Sequence, residues 1–164
     1  MDDAKTLINA FVFSRLDYCN GLFSGLPKKT TDRLQLVQNA AARVLTKTRM
    51  RAHITPVLAS LHWLPVVFRI DFKILLLVYK ALNGLAPAYL YDCLDKYVPN
   101  RPLRSASADL LTVPTMNYKK YGKTSFCFCG PTAWNKLPLY LRQAGSLDIF
   151  KAQLKTYFYT LAFG

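Results

Sequence analysis

The stretch Pro65-Val66-Val67-Phe68-Arg69-Ile70-Asp71-Phe72-Lys73-Ile74-Leu75-Leu76-Leu77-Val78-Tyr79-Lys80-Ala81-Leu82 decides the fold. It is the longest apolar stretch of the chain, yet Arg69, Asp71, Lys73 and Lys80 interrupt it. A bilayer span takes ~20 predominantly apolar residues with few or no charges, so this is no membrane segment. Proline is pre-organised for the start of a helix, and the Asn83-Gly84 that follows is a helix stop. The stretch therefore reads as a core helix. Arg69, Lys73 and Lys80 fall in one stripe of it at spacings of four and seven, either a solvated edge or one turned to a phosphate backbone.

On the N-terminal side, residues 2 to about 19 predict a helix with Leu7, Ala10, Phe11, Ser14 and Tyr18 near one face, stopped at Asn20-Gly21. Its opening lacks a capping box, as a chain cut inside a larger fold would. After a turn at Gly25-Leu26-Pro27, a second helix is expected from about Thr31 to Thr48, capped by Thr30 or Thr31. Its apolar stripe is Leu34, Val37, Ala41, Val44 and Leu45. Thr55-Pro56 starts a short helix, and His62-Trp63-Leu64-Pro65 turns the chain into the core helix.

On the C-terminal side, Leu85-Ala86-Pro87 launches a short helix through Tyr97, and 98–108 has the composition of a connection. Leu110–Pro114 and Lys123–Cys129 read as short strands of a hairpin with its tip at 117–122. In the second strand Ser125, Cys127 and Cys129 alternate with Phe126 and Phe128. Gly130-Pro131 opens a helical turn around Trp134, and Ser146 caps a last helix carrying Leu147, Phe150, Leu154, Tyr157, Phe158 and Leu161. The expected fold is mainly α, a helical domain with a small β hairpin in the C-terminal half. Its parts are a helical segment 1–97, a linker 98–109, and a hairpin plus C-terminal helix at 110–164, packed on the first part as one unit.

The length of 164 residues suits one domain, and 52% hydrophobic residues with ten Tyr and ten Phe supply a core. The net charge is +13, and all nine acids are Asp. Such an excess favours polyanionic partners through counterion release, or marks a basic piece separated from an acidic partner. Lys and Arg gather at Arg43, Lys47, Arg49 and Arg51, at the C-terminal end of the second helix. The helix dipole favours cations there without any ligand, so dipole and phosphate contact both remain open. Tyr118-Lys119-Lys120-Tyr121-Gly122-Lys123 interleaves aromatics and lysines, a pattern that stacks bases and neutralises phosphates but is also common in solvated turns. Arg101 and Arg104 share that ambiguity, and Arg69 and Lys73 complete the nucleic-acid-binding candidates.

Catalysis is not expected of this chain. Asp2-Asp3 is the one tight acidic pair, in a helical context where acids complement the dipole. His53 and His62 lie near helix boundaries, and GxSxG, P-loop and dinucleotide fingerprints are missing. Cys19, Cys93, Cys127 and Cys129 have no paired metal-ligand spacing and read as buried thiols, so neither a metal nor a cofactor is expected. Their scatter, with no secretory leader, suggests an intracellular site in nucleus or cytoplasm. Oligomeric state is left open.

Several stretches then occur in a telling order: Ser14-Arg15-Leu16-Asp17-Tyr18-Cys19-Asn20, Leu34-Gln35-Leu36-Val37-Gln38-Asn39-Ala40-Ala41-Ala42-Arg43, His53-Ile54-Thr55-Pro56-Val57-Leu58 and Leu61-His62-Trp63-Leu64-Pro65-Val66. Arg69-Ile70, Tyr79-Lys80-Ala81-Leu82-Asn83-Gly84-Leu85-Ala86-Pro87 and Trp134-Asn135-Lys136-Leu137-Pro138 follow. Together they resemble the C-terminal end of the reverse-transcriptase reading frame of non-LTR, LINE-type retrotransposons of the jockey-like and Rex-like groups. The resemblance implies a piece beyond the polymerase palm, beginning near the thumb, that helps hold template RNA and target DNA in target-primed reverse transcription. The endonuclease and the [FY]xDD metal motif of the family match nothing here, nor does the Cys/His knuckle that ends some relatives. The missing palm and thumb are then partners as well. The alternative is a non-functional or adapted structural fragment with no nucleic-acid role, its apolar faces once packed on palm and thumb. His62-Trp63-Leu64-Pro65 and Trp134-Asn135 read physically as packing corners.

Overall fold

The computed structural model describes residues 2–99, 109–115 and 124–164, and the chain divides into two compact units, 1–70 with 156–164, and 71–155. The described residues are mainly helical. The two cuts fall inside long helices.

The first unit begins with α1 (Asp2–Ile8), one π-helical turn (Asn9–Phe13) and α2 (Ser14–Asp17). Leu7, Phe11 and Tyr18, expected on one face, are exposed, whereas Phe13 and Leu16 are buried. Cys19 then takes a left-handed conformation (φ 50°) that ends the helix before a 3-10 turn at Asn20–Phe23. Helix α3 (Lys28–Thr46) begins three residues earlier than the threonines predict, after Pro27. Thr31 instead donates its hydroxyl to the Lys28 carbonyl (2.9 Å). The helix stops at Lys47, also left-handed, with the Thr48 N–H returning to the Arg43 carbonyl at 3.2 Å.

Thr31, Gln38, Ala41, Ala42 and Leu45 form the buried face of α3. Val37 and Val44 do not belong to it. Helix α4 (Thr55–Ser60) carries Pro56 in its first turn, as expected. In the turn that follows it, the positive φ of His62 lets the Trp63 N–H reach the Leu58 carbonyl at 2.9 Å. Phe13, Leu16, Ala41, Ala42, Leu45, Leu58 and Trp63 make one core cluster. Phe13 meets Trp63 edge-on at 4.5 Å, and each such side chain contributes ~1.5–3 kcal/mol by burial. The end of the last helix joins this unit, with Phe158 against Phe68 and the Tyr159 hydroxyl donating to the Ala59 carbonyl (3.1 Å).

The quoted apolar stretch is helix α5 (Val66–Leu82), stopped at Gly84 (φ 68°). In the second unit its Ile74, Leu75, Val78 and Tyr79 are buried. Helix α6 covers only Ala88–Tyr91 rather than reaching Tyr97. The chain then extends, and Lys96 forms an antiparallel bridge with Leu111, flanked by Tyr97 N–H to the Leu110 carbonyl (2.9 Å) and Thr112 N–H to the Asp95 carbonyl (2.8 Å).

The expected β hairpin is overturned: among the described residues there is no strand, and α7 runs over Phe126–Asn135. Five alternating residues fit a period of two, but the segment continues into Gly130, Pro131 and Trp134, which are buried at helical spacing. The Cys129 N–H accordingly reaches back to the Ser125 carbonyl at 2.9 Å. Cys127 and Cys129 thus do not share a face. A Cβ on Gly130 would meet Val78 Cγ2 at 3.1 Å, so its absence lets α7 approach that side chain closely. Helices α8 (Leu139–Arg142) and α9 (Leu147–Phe163) follow, the latter with the Ser146 hydroxyl accepting the Ile149 N–H. Phe150 stacks on Tyr79 at 4.4 Å and the Tyr79 hydroxyl donates to the Ala144 carbonyl, while Leu161, expected on the packed stripe, is exposed.

Candidate nucleic-acid interface

The stretches that carry the family resemblance sit at the joints of the fold. Gln38 on α3 is fully buried, and its Nε2 donates to the Leu64 carbonyl at 2.9 Å. Gln35 Nε2 donates to Gln38 Oε1 (3.0 Å) and to Asn39 Oδ1 (2.8 Å), while Gln35 Oε1 accepts the Val66 N–H (2.8 Å). Two side chains of one helix, Gln38 and Gln35, therefore satisfy backbone groups on both sides of Pro65 and fix where α5 begins, with Asn39 holding Gln35 in place. In the second unit Asn135 grips Leu111 from both sides, accepting its N–H (2.9 Å) and donating to its carbonyl (2.7 Å). Trp134 Nε1 donates to the Asp109 carbonyl at 2.9 Å. Trp63, Leu64 and Trp134 are buried, so these corners are packing elements.

Two candidate cations are used inside the protein. Arg69 is ion-paired with Asp17, with Nε to Oδ1 at 2.9 Å, and its guanidinium lies 4.6 Å from the centre of the Phe13 ring. The pairing joins Ser14–Asn20 to the start of α5 and removes Arg69 from the proposed solvent stripe. Arg43 Nη2 donates to the Ala52 carbonyl at 3.1 Å, closing the loop after α3, and its Nε is buried without a partner.

Lys47, Arg49 and Arg51 are exposed just beyond the last turn of α3 and belong to no ion pair among the described residues. This is a concentrated positive edge, and the left-handed turn at Lys47 puts it on a loop rather than along the helix. In the second unit Lys73 is exposed and Lys80 half-buried. Arg101, Arg104, Tyr118, Lys119, Lys120, Tyr121 and Lys123 lie outside the described residues.

The cysteines are less buried than expected: Cys19 is exposed, and Cys93, Cys127 and Cys129 are half-buried. A hydrogen bond with the Cys127 side chain, reinforced by burial and by the charges of Cys127 and Asp92, raises the Cys93 thiol above its ordinary range. Burial likewise raises the Asp71 carboxyl, partly offset by the Lys136 ammonium. Among the described residues no three His, Cys, Asp or Glu side chains converge as a metal site would require, and no helix is long and apolar enough to cross a membrane.

One residue escaped the sequence reading altogether. Arg142 on α8 lines a cavity, and its Nε and Nη1 are covered without a hydrogen-bond partner. Its sequence setting, Leu141-Arg142-Gln143, carries no charge cluster or aromatic pattern to draw notice. Comparison of the chain with protein-family models, curated proteins and solved structures returns no match.

Proposed function

We propose that this chain is a C-terminal segment of a LINE-type, RNA-directed DNA polymerase that binds nucleic acid, RNA template or target DNA, inside the cell and has no catalysis of its own. The ordered stretches from Ser14 to Pro138 support the parentage. The observation that carries the binding role is the exposed edge of Lys47, Arg49 and Arg51, unpaired among the described residues, in a chain of net charge +13. Cations held on a loop can track a phosphate backbone, and each neutralised phosphate releases counterions. The test is fluorescence anisotropy of a labelled single-stranded RNA and a DNA duplex with the full chain. Submicromolar binding that weakens on Lys47→Ala/Arg49→Ala/Arg51→Ala is the expected outcome; no binding at low salt by folded protein rejects it.

A second reading, a structural or interaction fragment without a nucleic-acid role, draws on α3. Leu36 (66% exposed), Val37 (48%) and Val44 (71%) form an apolar strip open to solvent, of the kind that packs on a missing palm or thumb. Strong binding of a hydrophobic dye by native protein that binds no RNA favours this reading.

A further inference from the structure

The second unit contains a cavity of about 340 Å³, partly open to solvent, in the size range of small-ligand sites. Its walls are built rather than incidental. One is the 95–97/110–112 backbone pairing, pinned to α7 by the Asn135 grip on Leu111 and the Trp134 bond to Asp109. Lys96, Tyr97, Asp109 and Arg142 contribute the charged and aromatic lining, together with apolar atoms of the adjoining chain.

The chemistry of this lining is unbalanced. A guanidinium is always charged and has only donors, yet Arg142 Nε and Nη1 are covered and unpartnered. Leaving charged donors unmatched away from water is costly. The carboxylate among the described lining residues, Asp109, is engaged elsewhere: its Oδ2 accepts the Gln143 side-chain amide at 3.0 Å, and it forms no ion pair with Arg142. Lys96 adds a second cation, so the lining carries two positive groups against one negative.

We propose that this cavity is a phosphate-monoester site, in which a terminal rotation of the Arg142 side chain turns its planar fork onto the phosphate oxygens. Lys96 provides the second charge that a dianion needs, and the half-exposed Tyr97 ring offers a face to a base or sugar attached to the phosphate. The phosphate is that of a free nucleotide or of a nucleic-acid 5′ end. The site extends beyond the binding role of the α3 edge and does not depend on it.

The experiment is an NMR titration of the full chain that follows the Arg142 Nε–H signal. The probes are inorganic phosphate, adenosine monophosphate, succinate, and a short RNA with a 5′-phosphate or a 5′-hydroxyl. Both phosphates shift the signal saturably, Arg142→Gln weakens binding ~10-fold or more, and Asp109→Asn tightens it by removing the opposing carboxylate. If Arg142→Gln does not fold, Lys96→Gln must weaken phosphate binding several-fold in its place. A 5′-phosphate RNA that outcompetes the 5′-hydroxyl RNA identifies a nucleic-acid end as the source; equal behaviour of the two, with binding of the monophosphate, identifies a free nucleotide. No shift up to ~10 mM phosphate, well above the millimolar range of weak ligands, overturns the site, as does succinate binding equal to phosphate.

Discussion

Replacing Gln38 by Ala tests the joint between α3 and α5. The side chain is fully buried, and its amide supplies the Leu64 carbonyl with its donor and Gln35 with an acceptor. Removing it leaves the carbonyl unsatisfied, at ~1–3 kcal/mol, and opens a cavity costing ~2 kcal/mol at the low end of large-to-small core substitutions. Gln35 keeps Asn39 as a partner, so the loss does not spread through the whole network. A total of ~3–5 kcal/mol corresponds to a fall in Tm of roughly 6–20 °C for a chain of this size. Circular dichroism melts give the Tm, and hydrogen exchange at the Val66 amide, held by Gln35, reports the joint itself. Gln38→Leu fills the space but breaks the same hydrogen bonds, so it should recover the cavity portion only. A cost below ~0.5 kcal/mol for Gln38→Ala, the scale of a surface change, would refute the reasoning.

Asn135→Ala removes both bonds to Leu111 and should destabilise by ~2–3 kcal/mol, read as a urea-midpoint shift at constant slope. Asp71, with its carboxyl raised by burial, binds more protons folded than unfolded between its two pKa values. Its contribution to stability is therefore complete below the unfolded pKa and lost as pH rises through the folded one, so Asp71→Asn should raise Tm near pH 7 and lose that advantage toward pH 3. Cys127→Ala removes the main cause of the raised Cys93 thiol. The pH midpoint of Cys93 alkylation by iodoacetamide should then move down.

The long helices were legible because their signals are redundant. Val66–Leu82 has an apolar run, a proline start and a glycine stop, and α9 has its Ser146 cap. Misreadings arose where one local pattern served two structures. Phe126–Cys129 alternates over too few residues to distinguish strand from helix, and the burial of Trp134 decides it. The π turn at Asn9–Phe13 has no signature in the sequence, and the grouping of Leu7, Phe11 and Tyr18 on one face does not say that the core lies against Phe13 and Leu16 instead. Among the cations, spacing along a helix identified Arg69 but could not reveal Asp17, which lies 52 positions earlier and pairs with it. Arg142 was invisible for the converse reason: its setting depends on which walls surround it, not on its neighbours in the chain.

The most direct test of the binding role is the slope of log Kd against log salt for single-stranded RNA, with and without Lys47→Gln/Arg49→Gln/Arg51→Gln. If all three contact phosphates, their removal reduces the slope by about 2, from ~0.7 per contact. A slope unchanged by the triple substitution, or binding indifferent to salt, contradicts the assignment of that edge to nucleic acid.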